Sequence, residues 1–267
     1  MSLSKEEKKN LFVSGNVQEV KQFLKDNPTW DVNEGLDGDD CAAPHLACVY
    51  GQPEIVSALL ANPQTNINQK NKHGSTPFLF GCRNGEVEVV KVLLRDSRVD
   101  MNLPDNRGCT PLWWASYFGD VGDVEVIKWM IASGRDLDLD TKGNDWQGNE
   151  CTAIEFARRE SKTGVVSLLE RFTLDQEQTR HEIRVELGLI YKDAAELFAM
   201  TVFLCDGFLR IGGPESNSEV GRFFRIASLL PMELQMMLCH RAYGLAKENI
   251  PSKDSEPAFK SLAKTCV

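Results

Sequence analysis

Gly15, Gly51, Gly85 and Gly119 stand 36, 34 and 34 residues apart in a chain of 267 residues. This recurrence restricts the fold more than any other feature, because self-similarity at such a period marks a stack of small units that bury their apolar faces only against one another. After the second and third glycines the same apolar run returns, as Ile55-Val56 with Leu59-Leu60 and as Val89-Val90 with Leu93-Leu94. Val20, Phe23 and Leu24 follow the first glycine. Once Gly119-Asp120-Val121 is read as a three-residue insertion, Val126-Ile127 and Met130-Ile131 follow the fourth. Val165-Val166 with Leu168-Leu169 is a fifth, weaker copy. Apolar residues at i, i+1, i+4 and i+5 form one buried stripe on a helix.

A second signature stands nine residues before Gly85, Gly119 and the corresponding place of the fifth unit. It reads Thr76-Pro77-Phe78-Leu79-Phe80, Thr110-Pro111-Leu112-Trp113-Trp114-Ala115 and Thr152-Ala153-Ile154-Glu155-Phe156-Ala157. Threonine accepts the unpaired amide hydrogens of a helix's first turn, and proline suits the first helical position because it has no N–H to leave unbonded. A glycine nine residues later ends the helix, where a left-handed backbone costs it little. Each unit is thus predicted to be two short antiparallel helices, preceded by a turn such as Asn71-Lys72-His73-Gly74 or Asp105-Asn106-Arg107-Gly108.

Taken together, these residues resemble the ankyrin repeat family, whose pattern is Thr-Pro-Leu-His-x-Ala, then Gly, then an Ile-Val-x-x-Leu-Leu helix. The resemblance covers about residues 5–172. In the second unit only the His45-Leu46-Ala47 part of the signature is kept, and the histidine position is Leu79, Trp113 and Glu155 in the next three. The first unit has Glu6-Glu7-Lys8 where Thr-Pro-Leu belongs, which fits a polar terminal cap. The predicted fold is all-α: about five repeats over residues 1–172, then a helical domain over 173–267 packed on the end of the array.

The resemblance implies a concave surface, built from the turn tips and inner helices, that grips other proteins. Stacked units give an extended surface without a deep closed cavity. The parts of an enzyme are missing: there is no phosphate-binding glycine loop and no Gly-x-Ser-x-Gly elbow. The eight cysteines are scattered singly and the four histidines do not cluster with them, so no structural metal and no cofactor are expected. Asp136, Asp138 and Asp140 alternate like the start of a calcium loop, but Thr141 and Gln147 stand where that loop needs glycine and glutamate. His45 is read as a structural hydrogen-bonding residue.

Following the family pattern, the two residues before each glycine face the groove: Val49-Tyr50, Arg83-Asn84, Tyr117-Phe118 and Arg159-Glu160. The fourth unit crowds Trp113, Trp114, Tyr117 and Phe118 on one helix, and Trp146 adds an aromatic in the elongated turn between Asp138 and Gln147. Exposed aromatics are disproportionately binding hot spots. The predicted contact residues are therefore Tyr50, Arg83, Asn84, Trp113, Trp114, Tyr117, Phe118 and Trp146. Packing between units is the competing role for the tryptophans.

Charge bears on the partner. The chain carries 30 basic and 39 acidic residues, net −9, which argues against a nucleic-acid partner. Seven of those nine negative charges fall in residues 1–172, with five acids and no base between Asp31 and Asp40 and four acids beside Lys142 between Asp136 and Asp145. Such tips would steer a basic protein or peptide. The most apolar stretch, Leu197 to Cys205, is too short to span a bilayer, so no membrane association is expected. The expectation is a monomer in the cytoplasm or nucleus.

After Phe172 the period is lost. Apolar spacing predicts an amphipathic helix over 174–190, a more apolar one from Ala194 to Ile211, and further helices over 220–229, 232–243 and after Pro257. Leu230-Pro231-Met232-Glu233-Leu234, with Leu238, resembles the opening of an F-box. That resemblance implies an alternative role as a ubiquitin-ligase substrate adaptor through residues 230–243.

Overall fold

Five helix pairs run along the first part of the chain in a computed structural model. They are α1 (Lys5–Val13) with α2 (Val17–Asp26), α3 (Ala43–Val49) with α4 (Pro53–Leu60), α5 (Pro77–Arg83) with α6 (Val87–Leu94), α7 (Pro111–Phe118) with α8 (Asp123–Ala132), and α9 (Ala153–Arg159) with α10 (Thr163–Leu174). The structure describes residues 3–118 and 123–205, together with Met232, Gln235, Met236, Leu238, Cys239, Pro257 and Ala258. The first helices of successive pairs pack on one another in chain order and the second helices form a parallel row behind them. The architecture is an all-α repeat solenoid. Its departure among the described residues is a two-stranded antiparallel hairpin, β1 (Gly143–Asn144) with β2 (Glu150–Cys151).

Each helix begins and ends as its local chemistry dictates. The hydroxyls of Thr76, Thr110 and Thr152 accept the N–H of Leu79, Trp113 and Glu155 at 3.2–3.3 Å, three residues on in each case. Ser4 does the same for Glu7, whose carboxylate returns to the Ser4 N–H. The first unit therefore starts with a Ser-x-x-Glu capping box where the repeat signature is absent. Gly15, Gly51 and Gly85 take φ of +77°, +62° and +69°. In the fifth unit Ser161 occupies the same place at φ +58°.

The apolar stripes then meet. Ile55, Val56 and Leu59 in α4 and Val89, Val90 and Leu93 in α6 are fully buried, each worth about 1.5–3 kcal/mol relative to exposure. Phe12, Phe23 and Trp30 close the first unit, with ring centroids 5.1–6.3 Å apart. Beside them the Trp30 indole N–H and Lys8 hold the Glu34 carboxyl below the usual carboxylate range.

Two ladders of polar contacts join the units. In the turn tips, Asp37, Asn71, Asp105 and Asp145 each accept the N–H groups two and four residues on, at 2.8–3.0 Å. Backbone bonds run from tip to tip, as from Lys72 N–H to Asp39 and from Asn106 N–H to His73. After the second helices, the amide of Asn33 donates to Gln64 C=O and accepts from Asn66 N–H. Asn68 does so with Arg98 and Asp100, and Asn102 with Asp136 and Asp138. The next place in this series is Asp138, which accepts from Asp140 N–H and from Thr141 in its own loop. The alternating acids that look like a calcium loop are thus a self-bonded turn.

The chain divides into two compact units, Met1–Arg180 and His181–Val267. α11 (Gln176–Glu186) follows α10 directly, with Asp175 accepting the Gln178 and Thr179 N–H groups at its start. The break before α12 (Leu189–Cys205) falls at Gly188, with φ +71°, rather than after residue 190. A left-handed glycine there outweighs apolar spacing that runs on without a gap. In the second unit Ala194, Ala195, Phe198 and Ala199 form a core with Cys239 and Ala258. Residues 206–231, which include the end of the helix expected to reach Ile211 and the helix over 220–229, lie outside the described residues. So does the F-box-like segment apart from Met232, Gln235, Met236, Leu238 and Cys239, of which Leu238 is half-buried.

Candidate functional site

The first helix of each repeat faces the turn tips, and the residues that cross this gap carry the candidate surface. At the histidine position of the second unit, His45 is fully buried. Its Nδ1 accepts from Ala42 N–H at 3.1 Å, so Nε2 carries the proton and donates to Gln69 C=O at 2.9 Å and Ser75 C=O at 3.2 Å. Burial lowers its pKa, which keeps the ring neutral. His45 therefore ties its unit to the next.

Trp113 takes over this duty in the fourth unit. Its indole N–H donates to Cys151 C=O at 3.2 Å, the carbonyl just before the next helix cap, as Ser75 is for His45. The ring is 0% exposed and lies 4.4 Å from Phe156. Trp113 thus supports the surface from beneath and offers no face to a partner. Trp114 is 3% exposed, its indole N–H bonded to Asp105 Oδ2 at 3.0 Å. The sequence placed both tryptophans among contact residues; the structure assigns them to packing, because both indole N–H groups find acceptors inside the array.

Around this base lie the residues that reach the surface. Trp146 sits in the loop of the β1–β2 hairpin, 56% exposed, and donates from its indole N–H to the Tyr117 hydroxyl at 3.1 Å. Its ring lies 5.3 Å from Trp114 and 5.5 Å from Tyr117. Tyr50, at the end of α3, is 48% exposed. Asn84 is exposed and bonds back to Val49 C=O. The side chain of Phe118 lies outside the described residues.

Cations cover the aromatic faces. The Arg83 guanidinium lies 4.4 Å from the Trp114 ring centre and that of Arg107 3.9 Å from Trp146. Arg107 also donates to Asn144 C=O. Arg159 pairs with Asp145 at 2.6 Å. The Asn149 amide, neighbouring backbone N–H groups and this guanidinium hold the Asp145 carboxyl well below the usual range. Arg83, Arg107, His73, Phe80, Trp114 and Trp146 border a cavity of about 400 Å³ between the tips and α5 and α7.

Sequence reasoning missed Arg107 and His73. Both are the third residue of a tip turn, two after the capping Asp105 or Asn71, and that shared register would have found them. A second cavity, of about 950 Å³, opens beyond the last rung of the asparagine ladder, beside Asp138, Arg158 and Leu174. Among the described residues no three His, Cys, Asp or Glu side chains are grouped to hold a metal, and no helix is long and apolar enough to cross a membrane.

Comparison with known proteins finds a match to the family model described as ankyrin repeats, in three copies, over residues 44–142. The match takes in the second, third and fourth helix pairs. The chain matches no curated protein.

Proposed function

Residues 44–142 are ankyrin repeats, a family of protein-interaction modules, and on that premise we propose that the chain is a non-catalytic module that grips a partner protein or peptide in the groove walled by α3, α5, α7 and the turn tips. One observation carries this reading. Trp146 and Tyr50 stand about half exposed on a scaffold whose neighbouring polar groups are bonded from unit to unit. Large aromatics held rigidly at a surface lose little side-chain freedom on binding, which is why they dominate interface energetics. Trp113 and Trp114 contribute by fixing Tyr117 and Trp146 in place.

The test is quantitative affinity capture with the full chain against Tyr50→Ala, Trp146→Ala and the double variant. The double variant loses partner capture at least tenfold while its melting temperature stays within a few degrees of the parent, since both side chains lie half outside the core. Partners recovered equally by parent and double variant would sink the assignment of this groove.

A further inference from the structure

One edge of the array is left unfinished by its own ladder. Asn33, Asn68 and Asn102 each bond an N–H and a C=O further along the array. At the next place Asp138 turns its carboxylate into its own loop, and α10 runs on into α11 with no further turn tip between them. An ionised carboxylate has no hydrogen to give a carbonyl, so this rung cannot recruit a following turn as the asparagines do. The cavity of about 950 Å³ opens here, at the upper end of the size of a ligand site. Leu174, the last residue of α10, is 86% exposed and shares the cavity wall with half-buried Leu139 and Ile154. A lone exposed leucine is ordinary on a protein surface. One that lines a cavity with two further aliphatic side chains leaves a continuous apolar wall for an occupant to cover.

Charge selects that occupant. Asp136, Asp138, Asp140 and Glu170 stand on the same wall, and the base among its lining residues, Arg158, is paired with Glu170 at 2.8 Å. Lys142, two residues beyond Asp140, lies off the wall, beside Glu155. Among the described residues the three aspartates form no ion pair. The carboxylates of Asp136 and Asp140, both exposed, accept no hydrogen bond there. An acidic segment would meet three uncompensated like charges, whereas a cation relieves their mutual repulsion. We propose that this edge is a second docking surface, taking a basic segment of a partner protein. An aliphatic side chain of that segment packs on Leu174 while its lysines or arginines meet Asp136 and Asp140. These residues lie apart from α3, α5 and α7, so the surface stands whether or not the groove is occupied.

Fluorescence anisotropy of the full chain with three labelled twelve-residue peptides tests this: (Lys-Leu-Lys-Gly)3, (Lys-Ser-Lys-Gly)3 and (Glu-Leu-Glu-Gly)3. At 150 mM salt, where screening sets in beyond about 8 Å, the first binds at least tenfold tighter than the other two. Asp136→Asn/Asp140→Asn weakens it at least fivefold and flattens its dependence on salt. Leu174→Ser brings it to the level of the serine peptide. All three side chains are exposed, so both variants keep the circular dichroism and melting temperature of the parent. Asp136→Lys/Asp140→Lys reverses the preference toward the glutamate peptide. Equal binding of the first and third peptides, or affinity unchanged in these variants, overturns the proposal. Binding lost in Trp146→Ala but kept in Asp136→Asn/Asp140→Asn does so too, because the peptide then sits in the groove. Failure of the first peptide to bind overturns it as well, as does self-association in sedimentation that Leu174→Ser abolishes, which gives the edge to a second copy of the chain.

Discussion

Replacing His45 with leucine probes how one buried side chain holds two repeats in register. Leucine is the residue that the third unit carries at this place, as Leu79, so size and apolarity are tolerated and the loss is polar. The substitution leaves Ala42 N–H without the Nδ1 acceptor and Gln69 C=O without the Nε2 donor, while Ser75 C=O keeps its bond from Asn71 N–H. Two groups lose their partners in a buried setting, at about 1–3 kcal/mol each, and the added apolar contact returns part of that. The net cost is about 3 kcal/mol, which lowers the melting temperature of a unit this size by about 6–12 °C.

The pH dependence gives a second, independent reading of the same side chain. Burial lowers the pKa of His45 in the folded chain, so below about pH 6.5 the unfolded chain binds a proton that the folded one refuses. The stability that His45 confers is whole above that pH and declines as pH falls, by up to about 1.4 kcal/mol per unit. The gap between parent and His45→Leu, measured by urea unfolding from pH 7.5 to 5, therefore narrows toward acid. A cost under about 1 kcal/mol at pH 7.5, or a gap that does not vary with pH, would refute the account of His45 as a neutral bonded link.

Two further substitutions test the repeat geometry. Ser161→Gly relieves a left-handed residue at φ +58° where three other units use glycine; a gain of about 0.5–1 kcal/mol is expected after glycine's extra chain entropy is counted, and a destabilised variant in thermal melts would contradict it. Asn68→Asp keeps the acceptor for Asp100 N–H but turns an oxygen toward Arg98 C=O, costing about 1–2 kcal/mol, whereas Asp138→Asn, at the end of the ladder, stays within about 0.5 kcal/mol of the parent. Equal effects of the two in chemical unfolding would show that the ladder carries no energy.

Much of the array is legible in residues alone because its rules are local. The threonine caps, the left-handed glycines and the apolar stripes each act within one turn of helix, so Thr76, Gly85 and Val89 announce themselves by spacing. Even the atypical first unit carried a readable signal in Ser4 and Glu7. The candidate surface was legible only as a column of positions, of which Tyr50, Asn84 and Trp146 are exposed and Arg83 is half-buried. What each of them does there was not legible.

The sequence by itself determined a stack of helix pairs with a short apolar period, because helix propensity, capping and amphipathic spacing are properties of neighbouring residues. Only the tertiary structure decided which aromatics are surface and which are support. Trp113 and Trp114 are adjacent in sequence to nothing that could bond their indoles; Cys151 C=O, 38 residues on, and Asp105, folded back from the tip, supply the acceptors that permit their burial. The setting of two arginines was decided in the same way. Chain composition is acidic, yet Arg83 and Arg107 are brought together across the gap between units by the indole faces of Trp114 and Trp146, a convergence that exists only once the repeats are stacked.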